Sequence, residues 1–215
     1  VTMTHVEKIR QLHALCHKLV PRTENRSKPL HALITGIPNV GKSTIINILA
    51  GRTIAKTGNE PAVTKHQQRI DLGNGLVLFD TPGILWANIE NKNSGYRLAA
   101  TGAIKDTAIS HDDVASFVGQ YLLECYPDLV KTRFQLDTLP ASESELLQLI
   151  GKKRGCLRSG GQVELDKVAK ILLLELRNAT IGKITFETPA MMVTELAEVD
   201  IIRAEKAAKK LARLT

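Results

Sequence analysis

The chain has 215 residues, 43% hydrophobic and 24% charged, a composition typical of a globular protein that buries a core. No apolar run approaches the roughly 18 residues of a membrane span, and we expect no secretory leader. The three cysteines form no CxxC motif or close pair, which predicts reduced thiols and a cytoplasmic location. The net charge of +7 favours a polyanionic partner, and the 4% aromatic content argues against base stacking as the main mode of RNA binding.

The first part of the chain alternates helical and strand patterns. Apolar spacing and turn residues predict, in chain order, a helix over 4–20, a buried strand over 30–34, a helix over 42–50 ending at Gly51, a long functional loop over 52–66, and strands over 68–72 and 76–79. Gly73-Asn74-Gly75 separates the last two strands and is typical of a tight hairpin. This order predicts an α/β fold.

The second part is predicted to be helical. We interpret residues 84–97 as a loop and predict helices over about 98–105, 112–125, 143–150, 163–178 and 195–213. The predicted domains are residues 1–97, a phosphate-binding part, residues 98–188, a small all-helical domain, and residues 189–215, a linker followed by a basic helix.

A phosphate-binding motif, Gly36-Ile37-Pro38-Asn39-Val40-Gly41-Lys42-Ser43, lies between a predicted strand and a predicted helix. In this context the backbone N–H groups and the helix N-terminus surround the α- and β-phosphates of a nucleotide. Lys42 then supplies charge to the β- and γ-phosphates, and the Ser43 hydroxyl coordinates Mg²⁺. The predicted nucleotide-binding residues in this loop are Pro38, Asn39, Val40, Gly41, Lys42, Ser43 and Thr44.

Asp80-Thr81-Pro82-Gly83 follows the last predicted strand, as the second half of such a site should. Asp80 is predicted to hold Mg²⁺ through water, and the Gly83 N–H to sense the γ-phosphate. Thr64 is the candidate threonine that reaches both Mg²⁺ and the γ-phosphate, with Thr53 and Thr57 as competitors. We therefore predict Lys42, Thr64 and Gly83 as catalytic residues and Ser43, Thr64 and Asp80 as magnesium ligands.

The motifs GIPNVGKST, PAVTK and DTPG resemble those of translation-factor-type GTPases. More narrowly, the stretch from GRTIAKTGNE through DTPGILW to GYRLAATGAIKD resembles the ribosome biogenesis GTPase A (YlqF-like) family, and the resemblance extends to about residue 190. It implies a circularly permuted GTPase domain, action late in assembly of the large ribosomal subunit, and stimulation by that subunit.

The guanine-reading motif NKxD of such GTPases is absent from these 215 residues. Asn91-Lys92-Asn93-Ser94 begins similarly but lacks the aspartate, and we interpret it as a switch loop. In the permuted family the motif precedes the phosphate-binding loop. The chain therefore resembles the phosphate half of the site, as a fragment or a natural truncation, and we expect an incomplete sheet or a partner that completes it.

Two residues refine the expected mechanism. Ile84 stands where many GTPases place the glutamine that orients water, and an apolar side chain cannot do so. The resemblance implies that another polar group and the ribosome replace it. Asn39 matches the asparagine that helps to hold K⁺ in potassium-stimulated GTPases, although asparagine is also common in tight loops.

The remaining polar candidates lie outside the phosphate motifs. Lys152, Lys153, Arg154 and Arg158 form a basic, glycine-rich segment that suits contact with an rRNA backbone, although a solvated turn is the alternative. His13 and His17 flank Cys16 on the first helix, but no further ligand has matching spacing, and we interpret them as a solvated face.

Three hypotheses follow. The leading one is a Mg²⁺-dependent GTPase that binds GTP and GDP and assists assembly of the 50S subunit. The second is a truncated rRNA-binding module whose P-loop is inactive or not specific for guanine. The third is a P-loop ATPase, which the absence of NKxD leaves open.

Overall fold

The computed structural model describes residues 5–20, 28–55, 67–73, 75–86, 88–104 and 110–212. The chain divides into two compact units, Val1–Leu85 and Trp86–Thr215. This division falls between residues 85 and 86, earlier in the chain than the predicted boundary between 97 and 98. The three predicted domains stay a prediction.

In its described residues the first unit contains two helices and a three-stranded sheet, as predicted. Its elements are α1 (Val6–Leu19), β1 (Leu30–Ile34), α2 (Lys42–Ala50), β2 (Gln68–Asp71) and β3 (Leu76–Asp80). The strand order is β1-β3-β2, in which β1 runs parallel to β3 and β2 runs antiparallel to it. The α/β fold class and the predicted hairpin of β2 and β3 are confirmed.

The central strand β3 carries the core of this unit. Leu76, Val77 and Leu78 are all buried, and Ile46 of α2 and Ile70 of β2 are buried with them. In β1, by contrast, half-buried residues alternate with exposed ones, because its His31 and Leu33 side chains point away from this core. Within the described part of the chain β1 has only β3 as a neighbour, so one edge of the sheet has no strand beside it there.

The second unit is built from helices. They are α3 (Lys92–Ala100), α4 (His111–Cys125), α5 (Pro127–Phe134), α6 (Glu143–Lys153), α7 (Leu165–Arg177) and α8 (Pro189–Leu211). One apolar core joins them, with Val118 and Leu122 of α4, Ile150 of α6 and Leu172 of α7 among its fully buried members. No helix within the described ranges is long and apolar enough to cross a membrane.

Two predictions about the local structure of this unit are wrong, and one helix was missed. Residues 92–97 are the first two turns of α3 and not a switch loop, because the Asn91 side chain accepts a hydrogen bond from Ser94 N and caps the helix. Helix α5 was not predicted, although Pro127 stands at its first turn. Helix α8 begins at Pro189, capped by Thr188, so the predicted linker is helical.

Candidate phosphate-binding site

The phosphate-binding loop connects the end of β1 to the start of α2. It contains residues with positive φ at Gly36 (155°), Asn39 (59°) and Gly41 (89°), and Gly41 is the N-cap of α2. A left-handed N-cap explains the glycine, since a β-carbon there costs energy. Pro38 is buried, whereas Asn39 and Val40 are exposed. The loop thus lies at the N-terminus of α2, where backbone N–H groups favour an anion.

Lys42 is the first residue of α2, and its side chain folds back over the loop. Its ammonium donates to the carbonyl oxygens of Gly36 at 3.1 Å and Ile37 at 2.8 Å. Burial lowers the pKa of Lys42 from its usual 10.5, while the Asp80 carboxylate acts in the opposite direction. The ammonium is therefore a partly desolvated charge held at the loop, close to the acidic half of the site.

Asp80 is the last residue of β3 and is fully buried. The parallel register pairs it with Ile34, the last residue of β1, so the loops that follow both strands leave the sheet at one edge. Two hydrogen bonds tie these loops together: Thr81 Oγ1 donates to Ile34 O at 2.9 Å, and Ile84 N donates to Gly36 O at 3.3 Å. Both predicted halves of the site are thus brought together.

Gly83 packs directly against the phosphate-binding loop. A β-carbon at this position would lie 2.7 Å from both Pro38 Cα and Pro38 N. No real β-carbon approaches backbone atoms this closely, so only glycine fits without a shift of one loop relative to the other. The contact explains the requirement for glycine at the end of the DTPG motif.

The remaining predicted site residues are placed as follows. Ser43 and Thr44 lie in the first turn of α2 and are half-buried. Thr64 lies outside the described residues, as does its competitor Thr57, so the predicted role of Thr64 is not tested. The Ile84 side chain is 70% exposed.

A hydroxyl and a carboxylate fit a magnesium ion, because Mg²⁺ prefers oxygen ligands and keeps several waters beside one or two carboxylates and substrate phosphates. Ser43 and Asp80 supply this donor set. Among the described residues no cluster of three or more His, Cys, Asp or Glu could hold a metal ion.

His13 and His17 were interpreted as part of a solvated helix face. Their side chains are instead half-buried, and the two rings contact each other, with 3.2 Å between the Nε2 atoms.

Asn47 was missed by sequence reasoning. From the second turn of α2, its Oδ1 accepts from Ile54 N and Ala55 N at 2.9 Å, and its Nδ2 donates to Ala55 O at 2.9 Å. These bonds hold the chain that follows α2 against the helix. The available signal was an asparagine inside a helix, where it competes with the backbone and is disfavoured.

The predicted basic segment is ordered. Lys152 and Lys153 end α6, Arg154 is the C-cap of that helix, and Arg158 lies in a short turn closed by a bridge between Leu157 and Val163. Lys152, Lys153 and Arg158 are exposed, and Arg154 is partly engaged by Glu175. The predicted basic loop is therefore partly helical, since three of its four charged residues lie at the end of α6 and only Arg158 lies in the turn that follows.

The parallel β1–β3 pair, the glycine-containing loop opening α2 and the aspartate ending β3 define a P-loop domain. Residues 31–123 match the family model described as 50S ribosome-binding GTPase. A curated relative, ribosome biogenesis GTPase A of Priestia megaterium, is 49% identical over 171 residues, which are 79% of this chain and 59% of the relative. This chain thus spans about three fifths of that relative's length.

Two solved structures have a similar fold. GDP-bound TM YlqF matches with a TM-score of 0.54 at 26% identity, covering 84% of this chain and 67% of that one. GNP-bound YlqF from T. maritima matches with a TM-score of 0.51 at 27% identity, covering 84% and 65%. These matches confirm the predicted resemblance to the ribosome biogenesis GTPase A (YlqF-like) family.

Proposed function

We propose that this chain binds GTP and GDP, hydrolyses GTP with Mg²⁺, and serves in the cytoplasm as a factor for late assembly of the 50S subunit, which stimulates its activity. One observation carries the nucleotide part: the buried Asp80 carboxylate ends β3, and the Lys42 ammonium begins the helix that follows β1, so both lie at the edge where these adjacent parallel strands end. The family supports the assembly part.

The proposed roles follow from the contacts of each residue. Lys42 exchanges the Gly36 and Ile37 carbonyls for the β- and γ-phosphates, which carry more charge than carbonyl oxygens. The contact of Gly83 with Pro38 fixes the Gly83 backbone beside the loop, so that its N–H can report on the γ-phosphate. Residues 38–44 surround the phosphates.

A magnesium ion, when bound, would neutralise charge between the phosphates. Ser43, Thr64 and Asp80 are the proposed ligands, with Asp80 acting through water. Asn39, exposed and in a left-handed conformation at the loop apex, is the proposed K⁺ ligand. Ile84 cannot orient the attacking water, and we assign that task to another polar group and to the ribosome.

The proposed partner of the helical unit is rRNA of the large-subunit precursor. Lys152, Lys153, Arg154 and Arg158 supply its predicted contacts, and their charge supports binding to phosphate. The second candidate function is an rRNA-binding module with an inactive or unselective P-loop. The absence of NKxD from the sequence favours this alternative, because guanine selection needs its aspartate.

Titration of the chain with fluorescent GTP, GDP and ATP in the presence of Mg²⁺ tests the proposal. GTP and GDP binding that excludes ATP, and that is lost in Lys42→Ala, is the expected result. Equal affinity for ATP would replace the GTPase proposal with the ATPase hypothesis. Absence of binding to all three nucleotides would leave the rRNA-binding module. The rate of phosphate release from GTP, measured with and without 50S subunits, then tests whether the subunit stimulates hydrolysis.

A further inference from the structure

Two arginines of the helical unit share one carboxylate. Glu175 of α7 accepts from Arg133 Nε at 2.8 Å, from Arg133 Nη2 at 2.7 Å and from Arg154 Nη2 at 2.6 Å. The Glu175 side chain is only 12% exposed, whereas those of Arg133 and Arg154 are 28% and 35% exposed. A mostly buried acid therefore holds two partly exposed guanidinium groups in fixed positions.

Lys153 adds a third positive charge beside this pair. Its ammonium donates to Gln135 O at 2.7 Å, at the C-cap of α5, which carries Arg133. Lys153 itself is the last residue of α6 and precedes Arg154. The C-terminal ends of α5 and α6 are thus joined by the Lys153 contact, and two of the three cations there share the Glu175 carboxylate.

Each guanidinium keeps donors for a ligand. The contact with Glu175 uses Nε and Nη2 of Arg133 and Nη2 of Arg154, and within the described part of the chain no other hydrogen bond engages these two groups. Arginine presents five N–H donors in a planar fork that matches phosphate oxygens. Since Glu175 already restricts both side chains, a phosphate would bind with a smaller loss of side-chain entropy.

Arg158, in contrast, is poorly fixed. Its side chain is 65% exposed, and it approaches Glu164 only to 3.9 Å, where Lys167 is the closer partner at 2.8 Å. Such an exposed pair contributes little order. Arg133 and Arg154 are thus more rigidly positioned to bind a polyanion than Arg158 is.

We propose that Arg133, Lys153 and Arg154, positioned by Glu175, bind the phosphate backbone of double-stranded RNA. This inference rests on the proposed rRNA-binding function and deepens it. Duplex RNA is the favoured partner because it is recognised mainly through phosphates and shape, whereas single strands are bound largely by stacking on aromatic rings, which are scarce in this chain.

The test is fluorescence anisotropy of a labelled RNA duplex with the whole chain over a series of salt concentrations. Arg133→Gln and Arg154→Gln should each weaken binding on the order of fivefold to tenfold and reduce the slope of log K against log salt by about 0.9. Glu175→Gln adds one positive charge to the protein, yet should weaken binding at least about threefold, because the two arginines lose their fixed positions.

Glu164→Gln is the matched control, since it makes the same charge change at the Arg158–Lys167 cluster. It should leave affinity unchanged or raise it slightly. If Glu175→Gln binds as tightly as Glu164→Gln, net charge alone acts and the inference is wrong. Unchanged binding by Arg154→Gln, whose side chain is partly exposed at a helix end, would overturn it independently of any folding defect in Glu175→Gln.

Two further arms separate the possible failures. In the first, the chain is mixed with vesicles of anionic lipid. If the vesicles bind and these variants weaken that binding, while the RNA duplex does not bind, the partner of the arginine pair is a membrane surface and the inference is wrong. A wild-type chain that binds no RNA duplex overturns this inference, whereas the nucleotide titration independently decides the GTPase proposal. The variants lie outside the phosphate-binding loop, so their GTP affinity should equal that of the wild type.

Discussion

A β-carbon on Gly83 would lie 2.7 Å from the backbone of Pro38. The contact joins the end of the DTPG motif to the phosphate-binding loop, and it is reinforced by the hydrogen bond from Ile84 N to Gly36 O. Two segments that are far apart in sequence are therefore in van der Waals contact at the place where a γ-phosphate is proposed to bind. The two loops can approach this closely because Gly83 has no side chain.

Gly83→Ala should separate these loops. Overpacking there costs about 1–3 kcal/mol of stability, because the atoms nearest to the added β-carbon belong to the Pro38 backbone, which cannot move aside as a flexible side chain can. We expect a lower Tm and a larger loss of affinity for a non-hydrolysable GTP analogue than for GDP, since the Gly83 N–H is proposed to face the γ-phosphate. Thermal denaturation and nucleotide titration measure the two effects.

Gly95→Ala in α3 is the control for that substitution. A β-carbon at Gly95 would meet only the Ile89 side chain, at 3.9 Å, and alanine favours a helix by about 1 kcal/mol relative to glycine. Its stability should equal or exceed that of the wild type. A Gly83→Ala chain as stable and as selective as wild type would show that the loops are free to move apart.

Lys42 should make nucleotide binding sensitive to alkaline pH. Burial lowers the pKa of its ammonium, so the charge is lost at a lower pH than for an ordinary lysine. Affinity for the triphosphate should fall as the pH rises through this lowered pKa, because only the protonated form attracts phosphate. Isothermal titration from pH 7 upward measures the fall.

Lys42→Arg provides the comparison, because arginine stays charged throughout this range. Its affinity is expected to be lower than that of the wild type at neutral pH, since the larger group does not fit the loop carbonyls, but nearly independent of pH. A wild-type profile as flat as that of Lys42→Arg would contradict the assignment of the ammonium as the phosphate-binding charge.

Asn47→Ala should release the chain that follows α2. It removes three hydrogen bonds and leaves the Ile54 and Ala55 N–H groups without their acceptor, which costs about 1–3 kcal/mol. Urea denaturation should show this loss. Asn88→Ala, at an exposed position, is the control and should change stability by no more than about 0.5 kcal/mol. Equal effects of the two substitutions would refute the anchoring role.

Glu195→Gln should loosen α8. Glu195 accepts hydrogen bonds from both terminal nitrogens of Arg97, a nearly buried guanidinium on α3. Loss of the countercharge should destabilise the protein by about 3 kcal/mol, because the buried charge loses its principal partner. Arg203→Ala removes the exposed pair with Glu90 and should cost about 1 kcal/mol or less.

The pH dependence of this pair has a definite sign. The Arg97 hydrogen bonds, opposed by burial and assisted by the guanidinium charge, lower the pKa of Glu195 from its usual 4.5. The pair therefore contributes its full stability above pH 4.5 and loses it as the pH falls through the lowered value. The stability difference between wild type and Glu195→Gln should shrink over that acidic range; a constant difference would contradict the ion pair.

The sequence by itself determined the local elements whose signals are short and strong. The strand over 30–34, a glycine-containing loop with Lys-Ser, and the hairpin of β2 and β3 were all predictable, because dihedral preferences and apolar patterns act between neighbours in sequence. The predicted burial of the first strand was wrong, since exposed residues alternate with half-buried ones along it. It failed where capping chemistry decided the outcome: Asn91 was interpreted as part of a switch loop, but its side chain starts α3.

Only the tertiary structure decided which distant groups meet. The register that sets Ile34 opposite Asp80, the contact of Gly83 with Pro38 and the sharing of Glu175 by Arg133 and Arg154 join residues separated by 21 to 46 positions in sequence. No periodicity encodes such pairs, because they arise from strand pairing and core packing of the whole unit. The sequence alone identifies the residues that can bind phosphate, and the fold brings them together at one edge of the sheet.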